Sequence, residues 1–316
     1  MFEHGLSGRL WPVRCKPYRD ELLTSWLVRL SRAYGADPTG FYAEVWPPQH
    51  VWNRDVDKGI DDHLISLLAA KTSTSRTRVL ATTMRGYPGY RAKDLRVMKS
   101  LPWLLNPLVR GYTRSKPWLQ YCPSCLQGDA DPYFRRSWRL AFVTVCPKHR
   151  RYLLDRCDHC AAALNFHLLA GDAEAITLCY HCRYDMRSAH SPMIHERTPD
   201  ERRLLQLQRF LLKTLRNKLC QLEGVSPIPS VAFFDRLRRL MRHFLTMMHT
   251  PAFKMAFSEH LDASFFESHL ASVKRHSLEA LDIDDRQLFM LFLAWWVEQL
   301  PDMFRALCSE MAVVSR

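Results

Sequence analysis

The chain has 316 residues, 47% of them hydrophobic and 24% charged, with a net charge of +13, which excludes wholesale disorder and allows two or three units with cores of their own. Its longest apolar run, 288–297, has ten residues, about half of the roughly 20 that cross a bilayer. The N-terminus lacks the basic, apolar and small-residue pattern of an export signal, so a non-membrane protein in a reducing compartment is expected, where paired cysteines read as metal ligands before disulfides.

The positive charge lies early. Residues 1–120 hold 19 Lys and Arg against 10 Asp and Glu, or +9, whereas 121–200 carry +1 and 201–316 carry +3. A basic segment of this kind attracts polyanions, nucleic acid first among them, although solubility alone also explains it. Helical periodicity begins at about Asp20 or Glu21: Leu22, Leu23, Trp26, Leu27 and Leu30 share one face, the two acids are expected in the first turn, and Gly35 is a plausible stop. After a Pro- and Trp-rich connector, residues 60–86 read as a helix from about Asp61 to Lys71, a Ser/Thr turn, and a second helix from about Ser75 to Met84 with Ser75 as N-cap. This is a helix-turn-helix or a plain helical hairpin. In the first case Thr74, Ser75, Arg76, Thr77 and Arg78 would meet DNA at the second helix's start, and Arg85, Arg91, Lys93 and Arg96 would add phosphate contacts.

Residues 87–120 are rich in Pro, Trp and Gly and read as irregular packing. In 133–145 the alternation of Trp138, Leu140 and Phe142 with Arg139, Ala141 and Val143 predicts a strand or hairpin. From Thr198 onward the pattern is helical almost throughout, with breaks expected at 226–230 and 247–253. The expected architecture is mainly α with small zinc-ribbon-like β modules. It comprises an N-terminal basic helical domain with the helix-turn-helix over 1–118, a double zinc-binding region over 119–192 and a C-terminal helical domain over 193–316.

Seven of the ten cysteines lie between 122 and 182. Cys122-x2-Cys125 is followed after 20 residues by Cys146-x2-His149, and Cys157-x2-Cys160 after 18 residues by Cys179-x2-Cys182. A two-residue gap lets both ligands of a knuckle converge on one metal, and a second knuckle completes a tetrahedron. Two structural zinc ions are therefore expected. Sequential pairing of knuckles closes the shorter loops, with a crossed arrangement as the alternative. His159 and His181 read as bystanders, and Cys15, Cys220 and Cys308 as ordinary thiols, Cys308 in a helical core.

The stretches "YCPSCL", "YFRRSWRLAFVTVCPKHRRYLLDRC", "CDHC" and "CYHCRYDMR" resemble the TniQ family of transposition proteins, which includes the TnsD-type target selectors. "YRDELLTSWLVRLSRAYG" is similar to that family's opening motif and "LISLLAAKTSTSRTRVLATTMRGYPG" to its helix-turn-helix segment. The resemblance spans about residues 10–190. It departs from the family at Ala161 and Arg183, where Gly is usual. It implies a non-catalytic, cytoplasmic bacterial adaptor for target-site selection. Such an adaptor would hold DNA and link a target, in some relatives a CRISPR RNA-guided effector, to an AAA+ regulator and its transposase, with a homodimer as a recurring form. A TnsD-like protein reading an attachment site directly is the alternative, and a zinc-dependent hydrolase a remote third.

Overall fold

The computed structural model describes residues 10–46, 51–85, 87, 101–171, 173–222, 224–247, 250, 251, 255, 277–299, 301 and 304. Helix α1 (Leu23–Arg32) is buried at nine of its ten positions, so its polar side chains must find partners inside the protein. Thr24 donates from both backbone and hydroxyl to Asp57 at 2.7 Å, and Ser25 donates to Glu21 at 3.1 Å. The helix starts after Asp20 and Glu21 rather than at them. Asp20 is left-handed (φ 60°) and Glu21 pairs in an isolated bridge with Arg135. The two acids thus serve tertiary contacts, where a place in the first helical turn was expected.

Helix α2 (Pro38–Val45) is capped by Asp37, which accepts from Gly40 N at 2.7 Å. Helix α3 (Asp62–Thr72) is capped by Asp61, which accepts from Leu64 N at 2.8 Å. Helix α4 (Arg76–Leu80) follows, and Ser75 Oγ accepts from Arg78 N at 3.2 Å. The expected second helix, 75–84, is therefore only five residues long. Beyond Leu80 the backbone turns to other partners: Thr82 O accepts from Leu23 N at 2.9 Å, and Met84 N donates to Asp57 O at 2.7 Å.

Two-residue strands β1 (Val109–Arg110) and β2 (Thr113–Arg114) pair antiparallel across Gly111, whose φ of 59° the turn requires. The metal-ligand region adds α5 (Pro123–Gly128) and the antiparallel pair β3 (Val145–Cys146) and β4 (Arg151–Tyr152). The strand expected over 133–145 is replaced by a 3₁₀ turn at Arg136–Arg139, with only Val145 and Cys146 in β3. Both parities of the alternation are at most 3% exposed, from Trp138 through Val143. A one-sided strand would have sent Arg139 to solvent.

The C-terminal part holds α6 (Pro199–Asn217), the antiparallel hairpin β5 (Leu219–Leu222) and β6 (Val225–Pro229), α7 (Ser230–Met247) and α8 (Ile283–Gln299). The break expected at 226–230 is β6 itself. A two-stranded hairpin leaves each strand one unpaired edge, which tolerates Pro227 and Pro229. One hydrophobic cluster runs from Trp11 to Phe304. Phe142 stacks on Phe234 of α7 at 5.1 Å, and Trp103 packs edge-on against both. Gln208 of α6 accepts from Thr144 N at 3.1 Å, while Arg286 of α8 reaches Asp155 at 3.3 Å. The C-terminal helices are thereby seated on the loop between Cys125 and Cys146 and on the segment that joins the two cysteine groups. Among the described residues no helix is long and apolar enough to cross a membrane.

Candidate metal centres

Cys122 is the residue that enters α5, and Pro123 at the first helical position starts the turn that brings Cys125 round to it. Cys146 ends β3, and the following turn presents His149. The structure joins adjacent knuckles. Cys122, Cys125, Cys146 and His149 form one group and Cys157, Cys160, Cys179 and Cys182 the other, with all ligand atoms in each within 4.8 Å of one another. The crossed pairing is not the one formed. His159 and His181 lie in neither group, and His159 stacks on Tyr184 at 5.7 Å.

The separations have a definite size. His149 Nδ1 lies 3.5, 3.2 and 3.7 Å from the sulfurs of Cys122, Cys125 and Cys146. Cys125 and Cys146 are 3.7 Å apart, Cys157 and Cys182 3.6 Å, and Cys160 and Cys179 3.7 Å. Disulfides would need about 2.0 Å. A tetrahedron with metal–sulfur bonds of about 2.3 Å has S···S edges of about 3.8 Å, and about 3.5 Å to an imidazole nitrogen. Both groups match those edges, so each can hold one metal ion. Hydrogen bonds from the Cys122 and Cys125 thiols pull Cys146 down to about 2, while hydrogen bonding to Cys122 and Cys146 pushes Cys125 up. Negative charges on sulfurs this crowded disfavour one another. A divalent cation lets all three ionise.

Outside α5, three knuckles close in the same way. The amide after the second ligand donates to the first ligand's carbonyl: Arg150 to Cys146 at 2.8 Å, Ala161 to Cys157 at 2.9 Å and Arg183 to Cys179 at 2.9 Å. That closure sets φ at 50°, 57° and 65° for Arg150, Ala161 and Arg183, the left-handed region, where a Cβ costs about 1–2 kcal/mol. The substitutions Ala161→Gly and Arg183→Gly, both at exposed positions, are each expected to stabilise the protein by about 0.5–1 kcal/mol, part of the relief being offset by glycine's greater freedom when unfolded. Denaturant midpoints measured with saturating metal check this, and unchanged midpoints contradict it.

The loop between Cys125 and Cys146 is held by the chain's beginning. Leu22 N donates to Phe134 O at 2.9 Å and Arg136 N to Asp20 O at 2.8 Å, while the Asp20 carboxylate accepts from Ser137 and Tyr87 hydroxyls, each at 2.7 Å. Arg135 pairs with Asp129 at 2.8 Å, and Arg136 with Asp20 at 3.4 Å. Arg139, fully buried, bridges Asp55 at 2.7 Å and Asp57 at 3.0 Å and donates to Leu105 O at 2.8 Å. Burial opposes the charge on Arg139, and the two aspartates more than restore it, raising its pKa. Sequence reading missed the roles of Asp20, Asp55 and Asp57. The closely spaced arginines of 135–139 were the available signal, since a buried guanidinium demands a carboxylate.

Candidate nucleic-acid residues divide sharply. Ser75, Arg76, Thr77 and Arg78 are exposed at the start of α4, whereas Thr74 is buried and its hydroxyl shares a 2.8 Å hydrogen bond with Thr72. Arg76 pairs with Asp62 at 3.5 Å. Arg85 is half-buried and donates to Ile60 O at 3.1 Å, so it faces inward where a phosphate contact was expected. Arg91, Lys93 and Arg96, with Cys308, lie outside the described residues.

A family model described as TniQ matches residues 12–153. The chain carries a TniQ domain. A TniQ domain marks a transposition-associated target-selection protein, and its match takes in α1, the α3–α4 pair, the Arg135–Arg139 segment and the whole first cysteine group. The second group lies beyond the matched TniQ segment. A comparison with curated proteins finds no match.

Proposed function

We propose that this TniQ-domain chain is a non-catalytic adaptor for target-site selection in transposition, shaped by one structural zinc ion in each cysteine group. It would dock a target-bound complex, a CRISPR RNA-guided effector among the candidates, and pass that position to an AAA+ regulator and transposase, holding nearby DNA electrostatically and acting as a homodimer. The observation that carries this reading is a TniQ domain built around a four-ligand group. Four protein donors fill a tetrahedral zinc, leaving no position for an activated water. The sulfur-rich donor sets favour zinc over harder cations.

The test is a transposition assay in which the chain is withheld and then restored. Its loss is expected to scatter or abolish targeted insertion while the transposase still joins ends in vitro. Insertion that stays on target without it contradicts the proposal. Strong preference of the purified chain for one duplex over scrambled competitor would instead favour direct reading of an attachment site. Hydrolysis of nucleic acid that a chelator suppresses would favour an enzyme.

A further inference from the structure

The strap before α1 brings cations to the α3–α4 turn. Trp11 N donates to Lys71 O at 2.9 Å, which lays residues 11–18 alongside the end of α3. Arg14 then donates to Trp11 O at 2.9 Å. Lys16 Nζ donates to Thr72 O at 2.5 Å and to Ser73 O, at the C-terminal end of α3 where a cation is favourable. Arg78 of α4 donates to Pro17 O at 2.7 Å. Each cation is fixed by a backbone carbonyl, and none of the three pairs with a carboxylate among the described residues. Their charges therefore add without compensation. Arg14, Lys16 and Arg78 are all exposed, and the hydroxyls of Ser73, Ser75 and Thr77 stand exposed in the same turn. Arg14 and Arg78 both lie near enough to Lys16 to lower its pKa, behind the desolvation by burial that comes first. Like charges gathered without acids cost free energy in the free protein and are stabilised by a polyanion.

We propose that Arg14, Lys16 and Arg78 form a phosphate-contact surface for duplex DNA, built by the N-terminal strap together with the α3–α4 turn. This deepens the adaptor reading, on which the choice of DNA as the polyanion rests. The surface reads phosphate rather than sequence, because α4 has five residues and positioning contacts to the backbone carry no base information. Arg76 is no part of it, since Asp62 already compensates its charge.

The experiment is the salt dependence of binding to a duplex of arbitrary sequence, for the full chain and for the double variant Arg14→Gln, Arg78→Gln. That variant leaves the Lys16 cap of α3 in place. Each lost phosphate contact lowers the log–log slope by about 0.9, so the double variant is expected to lose about 1.8 in slope, and the control Arg76→Gln nothing. The single reversal Arg14→Glu, with zinc content and melting temperature checked, gives a reading should the double variant fold poorly, and is expected to weaken binding at low salt at least as much as Arg14→Gln. Unchanged slopes in folded variants overturn the proposal, as does wild-type protein that leaves duplex unbound at low salt. Displacement of duplex by lower concentrations of an RNA hairpin or an acidic peptide also overturns it. These outcomes bear on how the chain holds DNA and leave its part in target selection standing, since that part is decided by where insertions fall.

Discussion

Substituting Ser for Cys125 is expected to unfold the TniQ domain, whereas substituting Ser for Cys182 should loosen only the second cysteine group. The first group is set in the core: Cys122, Cys125 and Cys146 are at most 5% exposed, and the loop between them carries Phe134, Trp138 and Phe142 into the main cluster. In the second group Cys160 and Cys182 lie at the rim. A structural zinc contributes on the order of 10 kcal/mol to folding, comparable with the entire 5–15 kcal/mol stability of an ordinary domain. Losing it where the core depends on it removes the fold. Where two of the four ligands reach the surface and the group lies outside the main cluster, the loss is local. Hydrogen exchange resolved by segment separates the cases. Cys125→Ser should lose protection throughout α1 and the Arg136–Arg139 turn, and Cys182→Ser only around 157–190. Equal and global loss in both variants would contradict the distinction.

The second large effect is expected at Arg139. Its replacement by Met keeps the volume and leaves Asp55 and Asp57 buried without their shared cation, which costs about 3–5 kcal/mol. Arg114 stands nearby, stacked 3.9 Å from the Trp118 ring centroid, but its guanidinium makes no hydrogen bond to either acid. Burial lowers Arg114 to about 10 against the pull of both aspartates. The pH dependence has a definite sign. In the variant both carboxylates have folded pKa values above their unfolded ones, so the folded state binds more protons and gains stability as pH falls. The deficit of Arg139→Met should therefore shrink as pH falls through the raised carboxylate values toward the ordinary aspartate value of about 4. The triple variant Asp55→Asn, Asp57→Asn, Arg139→Met should recover most of the loss, because it removes the uncompensated charges. Urea midpoints measure all three. A deficit under 1 kcal/mol, or one that grows on acidification, would show that the bridge carries little of the fold's stability.

Much of this was open to sequence reading, and the reasons for the rest are physical. The two groups of four side chains follow from chelate spacing, a local property that tertiary context does not alter. The serine cap of α4 was legible in the same way. The segment 133–145 reads as a strand or hairpin from its alternation, and its closely spaced arginines do not reveal that the carboxylates awaiting Arg139 are Asp55 and Asp57, more than 80 residues earlier. The acids Asp20 and Glu21 fit a helix start by composition, yet the incoming loop at Phe134–Ser137 takes them for its own anchoring. Pro227 and Pro229 look like breakers until the hairpin's free edge is known. Arg14 and Lys16 lie in a strap without periodicity, so only the structure shows that they meet Arg78.

The account stands on two closed four-ligand metal centres. Elemental analysis of purified, folded protein is the most direct test. It should find two equivalents of zinc per chain, falling to one in Cys182→Ser. Protein that is folded with less than one equivalent, or that keeps two after that substitution, would contradict it.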